Sequence, residues 1–94
     1  MRFGRFEWDD EKATSNSEKH GISFEEAITV FDDPRARIAE DPKHSSGETR
    51  FWAIGATAFS AQIVVVAFTD RAGLVRVISA RPASRRERRG YESS

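Results

Sequence analysis

The sequence predicts an α+β domain in which a small antiparallel sheet carries two N-terminal helices and a C-terminal helix. The element order is β-α-α-β-β-β-β-α, with the helices packed on one face of the sheet. Three observations support this. Two serine–glutamate pairs, Ser23/Glu26 and Ser84/Glu87, have capping-box spacing and mark helix starts. The stretch from Gln62 to Thr69, with its run Ile63-Val64-Val65-Val66-Ala67-Phe68, is short, apolar and β-branched, as a central strand should be. From Leu74 to Arg81 the residues alternate cleanly after a turn at Asp70–Gly73, so successive hairpins follow.

The remaining elements follow in chain order. Phe3 to Trp8 reads as an aromatic edge strand. Asp9 is placed to cap a helix whose first turn carries Asp10 and Glu11, where the helix dipole favours anions. That helix ends near His20, at Gly21. Its only clearly apolar position is Ala13, so it should lie mostly exposed or against a partner. Phe24, Ala27, Ile28 and Phe31 form the apolar stripe of a second helix. Asp32-Asp33-Pro34 stops it, because the residue before proline leaves helical space. Arg37–Glu40 is a short strand and Asp41–Gly47 a polar loop. Arg50–Ala56 is a strand with Phe51, Ala53 and Gly55 on one face and Arg50, Trp52 and Ile54 on the other. In the last strand the alternation groups Val75, Val77, Ser79 and Arg81 on one face. Residues 1–94 make a single domain with a small core.

Charge narrows the functional classes. The net charge is zero, yet residues 1–50 hold 8 Lys/Arg against 12 Asp/Glu, and residues 51–94 hold 7 Arg against 3 Asp/Glu. The basic half contains arginine only, the side chain best shaped for bidentate phosphate contacts. An anionic partner is therefore expected there. With no cysteine, disulfides and thiolate metal sites are excluded. No apolar run approaches a membrane span and the N-terminus lacks signal-peptide character, so the expected location is cytoplasmic, with no membrane partner. The two histidines, His20 and His44, are not at ligand spacing. His20 fits a helix C-terminus, and His44 sits in a polar loop, as an inert residue or a general base. No nucleophile elbow and no phosphate-binding glycine loop occur. No metal or cofactor is expected.

Ile78–Glu92 (ISARPASRRERRGYE) concentrates Arg81, Arg85, Arg86, Arg88, Arg89 and the only tyrosine, Tyr91. In a helix starting at Arg85, Glu87, Arg88 and Tyr91 can share a face, and Arg85 and Arg89 form a neighbouring stripe. One reading is a solvated basic helix with Tyr91 packed on the sheet. The other is an RNA phosphodiester site, where Arg81, Arg88, Arg71 or Arg76 would neutralise transition-state charge and Glu87, His44 or Tyr91 would move protons.

Four stretches, FEWDDEK (Phe6–Lys12), KHGISFEEAITVFDDP (Lys19–Pro34), DPKHSSGETRFWAIG (Asp41–Gly55) and ISARPASRRERRGYE, together resemble the BrnT family of bacterial toxins. The resemblance implies a RelE-like fold and a toxin of a type II toxin–antitoxin system. It implies a metal-independent endoribonuclease that cleaves RNA and inhibits translation. It also implies neutralisation by a BrnA-type antitoxin, through which the complex binds operator DNA. By resemblance Arg81 and Tyr91 match the family's site best, Arg50, Arg71, Arg76 and Arg88 less well; Arg85 would add to the RNA-binding surface. The chain lacks the sheet lysines of some RelE relatives, and arginine is a poor general base. The alternative expectation is a non-catalytic subunit of a repressor complex that holds nucleic acid or protein.

Overall fold

In the computed structural model, which describes residues 1–93, six strands form one sheet in the order β1-β2-β6-β5-β4-β3. They are β1 (Arg2–Phe3), β2 (Phe6–Glu7), β3 (Arg37–Glu40), β4 (Arg50–Ala56), β5 (Ile63–Arg71) and β6 (Leu74–Pro82). The helices are α1 (Asp10–His20), α2 (Phe24–Ala27) and α3 (Arg85–Glu92). The α+β class and the element order agree with the sequence reading. The single aromatic edge strand is instead a tiny hairpin, β1–β2, turned at Gly4 with φ 61°. The sheet is antiparallel except where β2 runs parallel to β6, pairing Phe6 with Val75.

The β5–β6 hairpin closes on Ala72 and Gly73, both at positive φ (54° and 87°). That is the tight turn whose twist matches the strands, and Gly73 takes its conformation without Cβ strain. The Asp70 side chain accepts from the Gly73 amide at 3.0 Å.

The second amphipathic segment is only briefly α-helical. After α2 it tightens into a 3₁₀ turn over Ile28–Asp32. Ile28, Thr29 and Val30 are consecutive β-branched residues, which crowd an α-helix. The tighter winding places Val30 fully in the core and leaves Phe31 half-buried, packed edge-on to Phe68. The segment can approach β4 this closely because residue 55 is glycine. A Cβ there would stand 2.8 Å from Val30 Cγ1.

The main core lies between the sheet and the α1–α2 segment, where Phe24, Ala27 and Val30 meet Ala53, Val64, Val66, Val77 and Ala80. As its composition suggested, α1 is mostly exposed. It docks through buried Asn16, whose amide donates to the Ala80 carbonyl at 2.8 Å and accepts from the Ala80 amide at 3.0 Å. Asn16 thus stands in for a strand at the open edge of β6. The expectation that all helices share one face is corrected: α3 packs on the opposite face, where Tyr91 joins Ile54 and Val65 in a second cluster. An eight-residue helix of six charged residues can bury only its Tyr91 side, and the first face is already filled.

No helix among the described residues is long and apolar enough to cross a membrane.

Candidate active site

The α3 face of the sheet owes its chemistry to one irregularity. Phe68 pairs with Val77, and Ala67 with Ser79, leaving Ile78 as the extra residue of a β-bulge. The bulge reverses the alternation along β6. Val75, Val77 and Ala80 point into the main core. Ser79 and Arg81 turn to the other face, so Arg81 is not on the side of Val75 and Val77 that regular alternation assigns to it. There they line a cleft of about 490 Å³ together with His44, Arg50, Trp52 and Glu87.

Arg81 crosses to α3. Its two terminal nitrogens meet the two Glu87 oxygens at 2.7 and 2.9 Å. The local sequence fixes this geometry. Glu87 is the third residue of α3 and completes a capping box with Ser84, whose amide donates to Glu87 at 2.9 Å. The Arg81 hydrogen bonds, against the opposing effect of burial and with help from the Ser84 amide, hold the Glu87 carboxyl down at about 2. It is therefore a fixed carboxylate that aims Arg81.

Opposite Arg81, the Pro42–His44 turn presents His44. Its Nδ1 lies 2.8 Å from Asp41 Oδ2 while the ring stays exposed. The turn is held on β4: the Asp41 amide donates to the Arg50 carbonyl at 2.7 Å, and the Arg50 amide donates to Ser45 Oγ at 2.8 Å. With Nδ1 engaged by Asp41, the far ring nitrogen is left to exchange a proton with a ligand.

Arg50 is the exceptional cation. It is half-buried on β4, paired in register with Thr69 of β5. Its buried Nε has no hydrogen-bond partner, and neither has the neighbouring Thr69 hydroxyl. Among the described residues its guanidinium makes no ion pair. A buried donor left unmatched costs free energy, and the same guanidinium lines the cleft, where an anion would offset that cost through its charge. Two other sheet arginines, Arg71 and Arg76, are occupied by carboxylates. Arg71 forms a two-point pair with Glu48 at 2.9 and 3.2 Å, which raises its pKa and lowers that of Glu48. Arg76 lies 3.6 Å from Glu7.

The structure therefore gathers His44, Arg50, Arg81 and Glu87 at one cleft and sets the other candidates apart. Arg71 and Arg76 sit beyond it with their carboxylates, and Arg85 and Arg88 are exposed on α3 without lining it. Tyr91 is buried and its hydroxyl donates to Asp33, at the far end of β4. Asp33 also accepts from the Ala56 amide at 2.8 Å and the Arg35 amide at 2.9 Å. The hydrogen bond to Asp33, then burial, raises the Tyr91 pKa. Burial pushes Asp33 up, but its hydrogen bonds from Ala56, Tyr91 and Arg35 bring it below its ordinary value. Arg35 and Arg37 reach the carbonyls of Glu92 and Gly90 at the end of α3, as cations at a helix C-terminus should.

Sequence reasoning missed Asp41, Lys43, Trp52 and Ser79 of the cleft. Asp41 alone left a signal, standing three residues before His44 in a turn. Among the described residues no cluster of three or more His, Asp or Glu side chains could hold a metal ion.

No curated protein matches the chain in sequence. Residues 8–87 match the family model described as the ribonuclease toxin BrnT of type II toxin–antitoxin systems, and a match over that much of a 94-residue chain makes this protein a member of the BrnT family.

Proposed function

We propose that this toxin is an endoribonuclease that cuts RNA in the His44–Arg50–Arg81 cleft without a metal ion. The observation that carries the reading is the unmatched Arg50 guanidinium, half-buried in a cleft that also holds Arg81 and the His44–Asp41 pair. In the proposed reaction the far nitrogen of His44 removes the proton of a ribose 2′-hydroxyl. That oxygen attacks the adjacent phosphorus, the bond from phosphorus to the 5′-oxygen breaks, and the leaving oxygen takes up a proton from water. The products are a 2′,3′-cyclic phosphate and a free 5′-hydroxyl. Negative charge grows on the phosphate oxygens in the transition state. Arg50 and Arg81, already placed and partly shielded from water, stabilise it there. Glu87 holds Arg81 in position, and Arg85 and Arg88 on α3, with Arg71 and Arg76 beyond the cleft, serve the RNA backbone.

Loss of RNA would inhibit translation, and the site of action is the cytoplasm. A BrnA-type antitoxin would neutralise the toxin by offering carboxylates to the same arginines, with charge-assisted contacts that exclude the phosphate. Operator DNA would be held through that antitoxin.

The test is single-turnover cleavage of RNA by the purified chain in EDTA. The unaltered chain should cleave. Arg50→Ala should slow the step about a hundred- to a thousandfold, and His44→Ala about a hundredfold or more, each with its melting temperature nearly unchanged. Cleavage that needs an added divalent ion, or that survives both substitutions in folded protein, overturns the reading.

A further inference from the structure

A second cavity adjoins the catalytic cleft. It is an apolar groove of about 310 Å³ between β3 and α3, and Trp52, Val65 and Glu87 belong to both cavities. Its floor is Ile54 and Val65, and Tyr91 forms its α3 side. Trp52 packs against the cluster of Ile54, Val65 and Tyr91, yet remains half-exposed. Trp52 and Arg50 point to the same face of β4, two residues apart along the strand. An indole supported from beneath, one strand repeat from an anion-seeking guanidinium, has the form of a stacking platform beside a phosphate site.

We infer that this groove is a nucleobase subsite, in which Trp52 stacks the base next to the phosphate bound by Arg50 and Arg81. The inference rests on the proposed RNA cleft and adds what binds beside it. The two cavities lie side by side on Trp52, Val65 and Glu87, so a chain whose phosphate lies at Arg50 can bring its neighbouring base onto the indole. The apolar floor suits a flat aromatic ring, and phosphate or sugar alone would gain nothing from it. Stacking on an aromatic side chain accepts every base, since each has a π face. The subsite thus supplies affinity and alignment, while the arginines supply charge.

Binding can be read without cleavage. The ligands are a short 2′-O-methyl oligoribonucleotide, which lacks the attacking hydroxyl, and an abasic oligomer with the same number of phosphates. Trp8 is almost wholly buried, at 3% exposure, so ligand-dependent fluorescence change reports Trp52. The base-bearing oligomer should alter the fluorescence and the abasic one should not. Trp52→Leu keeps an apolar filler on the cluster but removes the ring. It should weaken the base-bearing oligomer by about tenfold, the order expected of one stacked base, and leave the abasic oligomer unchanged. Trp52→Phe should recover most of the loss. Equal affinities for both oligomers before and after Trp52→Leu overturn the subsite and leave the RNA reading standing. If the unaltered chain binds neither oligomer, the RNA reading falls and this inference with it. If Trp52→Leu weakens binding of the antitoxin while oligomer affinity is unchanged, the groove belongs to a protein segment and the inference is wrong.

Discussion

The two faces of the sheet obey different rules although the same strands build both. Against α1 and α2 lies a sealed apolar layer: Phe24, Ala27, Val30, Val64, Val66 and Ala80 are all fully buried. Asn16, a buried polar side chain on that face, has its amide and carbonyl matched by backbone. Against α3 the apolar cluster is small, and beside it stand an unmatched guanidinium, a two-point ion pair and a histidine–aspartate pair. A chain of this size has only a small core to place. Concentrating it on one face leaves the other free to hold groups that stability alone would not select. The first face should therefore govern whether the protein folds, and the second what it does.

Phe24→Ala is the strongest way to break that division. Phe24 is fully buried and meets Trp8 edge-on, with ring centroids 5.8 Å apart. Emptying such a site costs about 3–5 kcal/mol, close to the whole stability of a small domain. Chemical denaturation should show that loss, and cleavage should fall only as the folded fraction falls. A destabilisation below about 1 kcal/mol would mean that the α1–α2 face is not the main source of stability.

Tyr91→Phe probes the second face, where one side chain could serve either structure or chemistry. Its hydroxyl holds α3 to Asp33 across 58 residues of sequence. A hydrogen bond to a carboxylate in a partly exposed setting contributes about 1–2 kcal/mol. The variant should lose that much on melting and keep its single-turnover rate. A hundredfold slower rate at unchanged stability would instead assign Tyr91 a proton-transfer role and carry the reacting groups towards α3.

The faces also differed in how much of them sequence could reveal. Local signals were reliable. Ser23 and Ser84 cap the helices they were expected to cap, and β4, β5 and the β5–β6 hairpin lie where apolar periodicity placed them. The charge asymmetry pointed to the basic half. The site was less legible, because its geometry depends on one bulge and on distant contacts. Alternation cannot foresee that Ile78 is an extra residue, and that single insertion decides which face receives Arg81. Nothing in the sequence around Asn16 marks it as buried, since its backbone partner is 64 residues away. Nothing near Tyr91 in sequence announces Asp33. The arginine-rich stretch drew attention to α3, while the cleft takes His44, Lys43 and Arg50 from a loop and a strand outside it.

The smallest expected effect is also the most specific to the second face. Glu87 is held near 2 against an ordinary value of 4.5, chiefly by Arg81. Its unfolded form takes up a proton below about pH 4.5, whereas the folded form resists until about pH 2, so between these values the unfolded chain binds more protons. Stability from this pair is therefore complete above about pH 4.5 and is lost as pH falls towards 2. The side chains of Arg81 and Glu87 are 44% and 35% exposed, so solvent screening reduces the contribution to about 1 kcal/mol. Glu87→Gln tests this cleanly, because glutamine can still complete the capping box with Ser84. At pH 7 the variant should melt about 4–8 °C lower, and the two melting curves should converge as pH drops towards 2. Asp33 and Glu48 are also held below their ordinary values. They contribute acid sensitivity of the same sign to both proteins, which the difference removes. Among the described residues the α1–α2 face fully buries no ionisable side chain, so a gap between the proteins that stays constant across this range would show that Glu87 acts through shape and capping, with its charge contributing nothing.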